Sequence, residues 1–223
     1  MPKLTISKPA MQKLGEDITR FLQRGVALCL TVAVISACGN GGGNGVAQSG
    51  PVIALGEADI GGPFELTDHN GAAFTQDNFV GKPTLLYFGF SYCPDVCPSA
   101  LQNMGALQER LDPNGTLLNY VFVGVDVQRD TPESLAPYIT SRGFAKNLIG
   151  LSGTQEQMDV ATRAYKVYAQ KVDDPQSAAL YTFDHSDLML LLDKNGEFKD
   201  IFTASNSVPE IETRVKFLLD SGK

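Results

Sequence analysis

The sequence predicts an α/β domain built on a mixed sheet with helices on both faces. Two apolar, aromatic-rich runs, residues 84–90 and 117–127, read as buried strands. Capped helical stretches alternate with them. Asn-Gly turns at Asn70-Gly71 and Asn195-Gly196 place a hairpin near each end of the domain.

In chain order, residues 64–67 and the turn Asp68-His69-Asn70-Gly71 form the first hairpin. Residues 84–90 (TLLYFGF) follow Gly81-Lys82-Pro83 as a short central strand, and 98–111 read as a helix. After the strand at 117–127, Thr131 is a good N-cap with Pro132 in the first helical position, opening a helix to Arg142 that stops at Gly143. Residues 148–151 are a short strand. Thr154 and Gln157 make a capping box for a helix reaching Tyr168. Residues 188–192 and 197–202 pair across Asp193-Lys194-Asn195-Gly196, and Ser207 with Glu210 opens the last helix through a second capping box. A mixed central sheet with flanking helices and an added N-terminal hairpin is the element order of a thioredoxin-like fold.

The first 54 residues read as an address and a tether. A basic stretch from Lys3 to Arg24 precedes residues 26–37 (VALCLTVAVISA), an uncharged apolar run. Twelve residues of helix rise only about 18 Å, short of a hydrocarbon core about 30 Å thick, so a secretory signal is expected rather than a span. Ile35-Ser36-Ala37-Cys38-Gly39 looks like a bacterial lipobox, which implies cleavage before Cys38 and lipidation of that cysteine. Residues 38–54 are a Gly-rich tether, its 39–51 stretch (GNGGGNGVAQSGP) having an r.m.s. span of about 20 Å. The domain, residues 55–223, is therefore expected outside the cytoplasm, held at the cell membrane by lipid and facing the periplasm or the extracytoplasmic side.

The formal charge is −7. Beyond residue 37 there are 13 basic and 23 acidic residues, a net of −10. Such a surface is repelled by phosphate backbones, which argues against nucleic-acid binding.

Of four cysteines, Cys29 falls in the apolar leader and Cys38 at the lipobox, leaving Cys93 and Cys97 in Ser91-Tyr92-Cys93-Pro94-Asp95-Val96-Cys97-Pro98. Cysteines four apart share one face if the segment is helical, and a helix N-terminus favours thiolate. Three readings of the pair compete. A stabilising disulfide would close too small a loop to constrain much. Disulfide oxidoreductases of this fold use a two-residue spacer, and Val96 stands where their second cysteine would be; peroxiredoxins place Thr where this chain has Phe90. Metal binding needs a further ligand. His69 sits in a hairpin turn, where a solvated imidazole is the simpler reading. His185, in Asp184-His185-Ser186-Asp187, occupies a loop that faces the cysteine loop in a thioredoxin-like fold. Two thiolates and an imidazole suit Cu(I) or Cu(II), whereas structural zinc normally takes four protein ligands.

At these residues the chain resembles the Sco (SenC) family of copper chaperones, which serve the copper-A centre of cytochrome c oxidase. The resemblance runs over Gly81-Lys82-Pro83, Tyr87-Phe88-Gly89-Phe90, Cys93-Pro94-Asp95-Val96-Cys97-Pro98, Asp126 through Arg129-Asp130-Thr131-Pro132-Glu133, Asp184-His185-Ser186 and residues 192–198. It implies one copper per chain held by Cys93, Cys97 and His185. The Cys93–Cys97 pair would double as a redox-active disulfide, and Asp95 would tune copper loading or partner docking. Asp126, Asp130 and Asp187 are also explained as turn formers or helix-end charges. The implied acceptor is the copper-A domain of cytochrome c oxidase subunit II or another exported copper protein, in the role of an assembly factor rather than an enzyme. The alternative is a thiol–disulfide reductase that keeps the acceptor's cysteines reduced.

Overall fold

The computed structural model describes residues 59–176, 179–203 and 205–221. All of them belong to the unit Ala54–Lys223. The leader, Cys29, Cys38 and the whole tether lie outside the described residues.

Strand β1 (Glu65–Asp68) pairs antiparallel with β2 (Ala73–Thr75). Their tight turn needs Gly71 at φ +87°, a conformation open to glycine. A capped 3-10 turn at Gln76–Phe79 then drops Phe79 into the core. β3 (Thr84–Gly89), β4 (Asn119–Gly124) and β5 (Leu148–Ser152) run parallel as the sheet centre. β8 (Met189–Leu192) and β9 (Phe198–Phe202) extend it antiparallel beyond β3, giving the order β2-β1-β5-β4-β3-β8-β9. Among the described residues the α-helices are α1 (Val96–Leu111), α2 (Pro132–Ile139), α3 (Gln155–Ala164) and α4 (Val208–Ser221). This is a thioredoxin-like fold with the N-terminal hairpin added at one edge.

β3 is buried at all six positions, as a central parallel strand covered on both faces must be. α2 seats on β5 by laying Ile139 and Leu135 over Gly150, where a Cβ would stand 3.0 Å from Ile139 Cγ2. Phe64, Phe74, Phe79, Phe88 and Tyr165 form a ring cluster beneath the hairpin, most pairs tilted or edge-on.

Several boundaries differ from expectation. α1 begins at Val96, two residues before Pro98, because Pro98 lies in the first turn, where a missing N–H costs no intrahelical bond. α2 ends at Ile139, not Arg142; the Thr140 hydroxyl donates to the Pro137 carbonyl at 2.9 Å, taking an acceptor at the helix end. α3 stops at Ala164 because Lys166 adopts a left-handed φ of +55°. At the last helix, Glu210 receives the Asn206 amide at 2.7 Å.

The largest departure is a two-stranded ribbon, β6 (Ala169–Asp173) and β7 (Tyr181–His185), paired antiparallel apart from the main sheet. His185 therefore ends a strand rather than sitting in an open loop. Among the described residues no helix is long and apolar enough to cross a membrane.

Candidate metal centre

Gly89 closes β3, and the chain turns so that the Cys93 N–H donates to the Phe90 carbonyl at 3.1 Å. Asp95 is the N-cap of α1, and Cys97 is its second residue. Cys93 and Cys97 consequently do not share a helical face. Their approach comes from the turn, with the Cys97 N–H donating to Cys93 Sγ at 3.4 Å. Gly89 permits it: a Cβ there would lie 2.7 Å from Cys97 Sγ and 2.9 Å from Tyr87 Cε1.

The ribbon delivers the third group. Ser186 N donates to the Tyr168 carbonyl at 2.9 Å, and Tyr168 N donates to Ser186 Oγ at 3.1 Å, which fixes the end of β7. His185 Nδ1 lies 3.1 Å from the Ser186 carbonyl. That pairing assigns a proton to Nδ1 and turns Nε2 toward the sulfurs, where it can donate to the Cys93 thiolate when protonated and ligate a metal when not. Nε2 is 3.5 Å from Cys97 Sγ. The imidazole stands edge-on to Phe90 and Tyr87, at ring-centroid distances of 5.6 and 6.4 Å. The donor atoms of Cys93, Cys97 and His185 all lie within 4.8 Å of one another.

Both thiols are free and buried. The Cys97 thiol donates to Cys93, and with help from His185 and the loop amides this pushes Cys93 down to about 4 against the opposing effect of burial. The same hydrogen bond, together with burial, drives Cys97 far up, so Cys97 keeps its proton. Burial disfavours a charged His185, but the Cys93 sulfur and the Ser186 carbonyl outweigh it and hold its pKa above the ordinary value. The resting group is thus a thiolate, a thiol and an imidazole with raised basicity. It can give up protons to take a soft cation.

Four acidic residues named from sequence take different places. Asp130 is fully buried and accepts from the Ser91 N–H at 3.1 Å and from the Ser91 hydroxyl, tying the β4–α2 turn to the cysteine loop. Asp126, also buried, accepts from the Tyr181 hydroxyl at 3.0 Å and pairs with Arg129 Nε. Asp187 accepts from the Tyr87 hydroxyl at 2.8 Å. Asp95 is exposed and makes no side-chain cap bond. His69 lies outside the group, its Nδ1 accepting from Gly150 N at 3.3 Å.

Sequence reasoning missed Arg129, Tyr181 and Tyr87 as parts of the site. The Arg129 guanidinium lies over Tyr181 at 3.8 Å and Tyr92 at 4.7 Å, joining the ribbon to the cysteine loop. Its two terminal nitrogens are buried without an acceptor, so stacking carries this contact. A tyrosine in an apolar strand reads as core, and only the third dimension shows where its hydroxyl ends.

A parallel-centred α/β sheet with a Cys-x3-Cys turn facing a histidine defines a thioredoxin-like domain with a cluster that could hold a metal ion in place of the two-residue redox spacer. The SCO1/SenC family model matches residues 54–220. The human mitochondrial SCO1 homologue is 38% identical over 166 residues, 72% of this chain and 53% of that protein. The chain thus spans about half the length of that curated relative. Arabidopsis thaliana ScoI with copper bound is 34% identical, with a TM-score of 0.67 over 73% of this chain and 99% of that one. Bradyrhizobium japonicum ScoI with copper bound is 37% identical, with a TM-score of 0.64 over 71% and 99%. The chain belongs to the SCO1/SenC family.

Proposed function

We propose that this chain is an exported, membrane-tethered copper carrier that binds one copper ion through Cys93, Cys97 and His185 and hands it to an exported acceptor. The acceptor that family membership favours is the copper-A centre on subunit II of cytochrome c oxidase. The observation that carries the reading is the convergence of two free thiols and an imidazole nitrogen within 4.8 Å. The copper-bound ScoI structures, which share this fold at 34% and 37% identity, support it. Three ligands hold copper in either oxidation state yet leave coordination incomplete, which suits transfer better than storage. Cys93 is ready as thiolate, and Cys97 must release its proton as the metal enters.

The proposed domain plan is a signal at residues 1–37, lipidation at Cys38, a tether at 38–54 and the carrier domain at 55–223. A lipid anchor and a flexible tether would keep the domain at the membrane surface where an oxidase subunit stands. Asp95, exposed between the cysteines, is proposed as a contact for loading or docking. The test is transfer: copper-loaded chain mixed with the metal-free copper-A domain should lose its copper and generate the acceptor's spectrum. Retention of copper by the chain would contradict the reading.

A second reading has its own observation. A Cys93 thiolate beside a Cys97 thiol could attack a disulfide and resolve it, itself becoming the Cys93–Cys97 disulfide while the acceptor gains two thiols. Only copper binding needs His185. His185→Ala should therefore abolish copper transfer and leave disulfide reduction within a few fold; equal loss of both would merge the two readings.

A further inference from the structure

Tyr87 is completely buried in β3 yet carries a hydroxyl. That hydroxyl donates to Asp187 Oδ1 at 2.8 Å. Its ring also stands beside the Cys97 sulfur across Gly89, where a single Cβ would lie 2.7 Å from Cys97 Sγ and 2.9 Å from Tyr87 Cε1, the ring carbon next to the one that carries the hydroxyl. A phenol has one proton to donate. The Asp187 carboxylate and the Cys97 sulfur are thus rival acceptors for it. While Cys97 is a thiol donating to Cys93, the carboxylate is the stronger acceptor and holds the bond. A metal-ligated Cys97 is a thiolate, which makes the sulfur a charged competitor.

We infer that Tyr87 and Asp187 act as a pair that sets the oxidation-state preference of copper at this site. Tyr87 favours Cu(I) by hydrogen-bonding the ligating Cys97 sulfur, and Asp187 opposes it by drawing that bond away. The inference rests on the Cys93–Cys97–His185 reading and deepens it. A hydrogen bond to a ligating thiolate withdraws electron density from sulfur, and the more oxidised ion depends more on that density. Burial of the phenol raises the effect, because no water competes for the bond. The Tyr87 ring itself is held by Phe122, stacked at 6.4 Å, so a phenylalanine fits the same place. Both are positioning residues, since neither ligates.

The test uses the full chain in detergent, loaded separately with Cu(I) and Cu(II), beside Tyr87→Phe, Asp187→Asn and the double variant. Tyr87→Phe should lower the ratio of Cu(I) to Cu(II) affinity by about threefold to tenfold and move the sulfur-to-Cu(II) charge-transfer band to lower energy. Asp187→Asn should move both in the opposite direction, and its effect should shrink in the Tyr87→Phe background. Folded Tyr87→Phe with an unchanged ratio and band overturns the inference and leaves the copper site standing. So does an Asp187→Asn shift of undiminished size in the double variant, which would mark simple charge. If Tyr87→Phe does not fold, Asp187→Asn alone decides, and an unchanged ratio overturns the inference. A parent chain that binds no copper overturns both the site reading and this inference.

Discussion

Gly89 makes the cysteine pair possible. Its missing side chain is the space in which Cys97 Sγ meets Tyr87, and the Phe122 ring closes the same space at 3.1 Å. Gly89→Ala is expected to cost about 1–3 kcal/mol in folding, as overpacking does, and to weaken copper binding by displacing Cys97. Chemical denaturation with a parallel copper titration checks both. The ligand types were legible at this scale because they are scarce: four cysteines and two histidines in the chain, two of the cysteines lying in the leader and at the lipobox. Their geometry was not. Spacing suggested a helical face shared by both cysteines, while the structure uses a turn before α1, where Pro94 and an Asp95 N-cap delay the helix. Tyr87 and Arg129 escaped notice because an aromatic in an apolar run and a charge in a turn each have a sufficient local explanation.

Elements with an apolar face were read closely from sequence, and the β6–β7 ribbon was missed for the converse reason. β6 exposes four of its five residues, Gln170, Lys171, Val172 and Asp173, so no alternation marks it as a strand. Its order comes from tertiary contacts. Tyr181 reaches Asp126, Arg129 stacks on Tyr181, and the Lys171 ammonium lies 3.7 Å from the same ring. The ribbon carries His185, so whatever loosens it should loosen the third ligand. Tyr181→Phe removes the bond to Asp126, worth about 1 kcal/mol. Amide exchange in residues 169–173 and 181–185 is expected to accelerate by about fivefold, with the main sheet unchanged. Equal acceleration in β3 and β4 would place the ribbon's stability elsewhere.

Across the whole molecule, a buried carboxyl outside the ligand set also makes stability depend on pH. Burial pushes Asp130 up to about 6, despite its bonds from Ser91. Because this folded-state value exceeds the ordinary aspartate value, the group's contribution to stability is complete below about pH 4 and is lost as pH rises through about 6. The loss amounts to roughly 3 kcal/mol at most. The stability of the metal-free protein relative to Asp130→Asn should therefore fall between pH 4 and 7, read as the difference between the two denaturation midpoints against pH. An acidic surface, a site of two thiols and a histidine, and a fold shared with copper-bound ScoI proteins meet in one functional account. Its central claim is the ligand set. The measurement that tests it most directly is copper stoichiometry and affinity of the reduced, oxygen-free chain beside Cys93→Ser, Cys97→Ser and His185→Ala. The account predicts one copper per chain, lost or weakened by at least about a hundredfold in every variant. Copper retained at parental affinity in any of the three would contradict it.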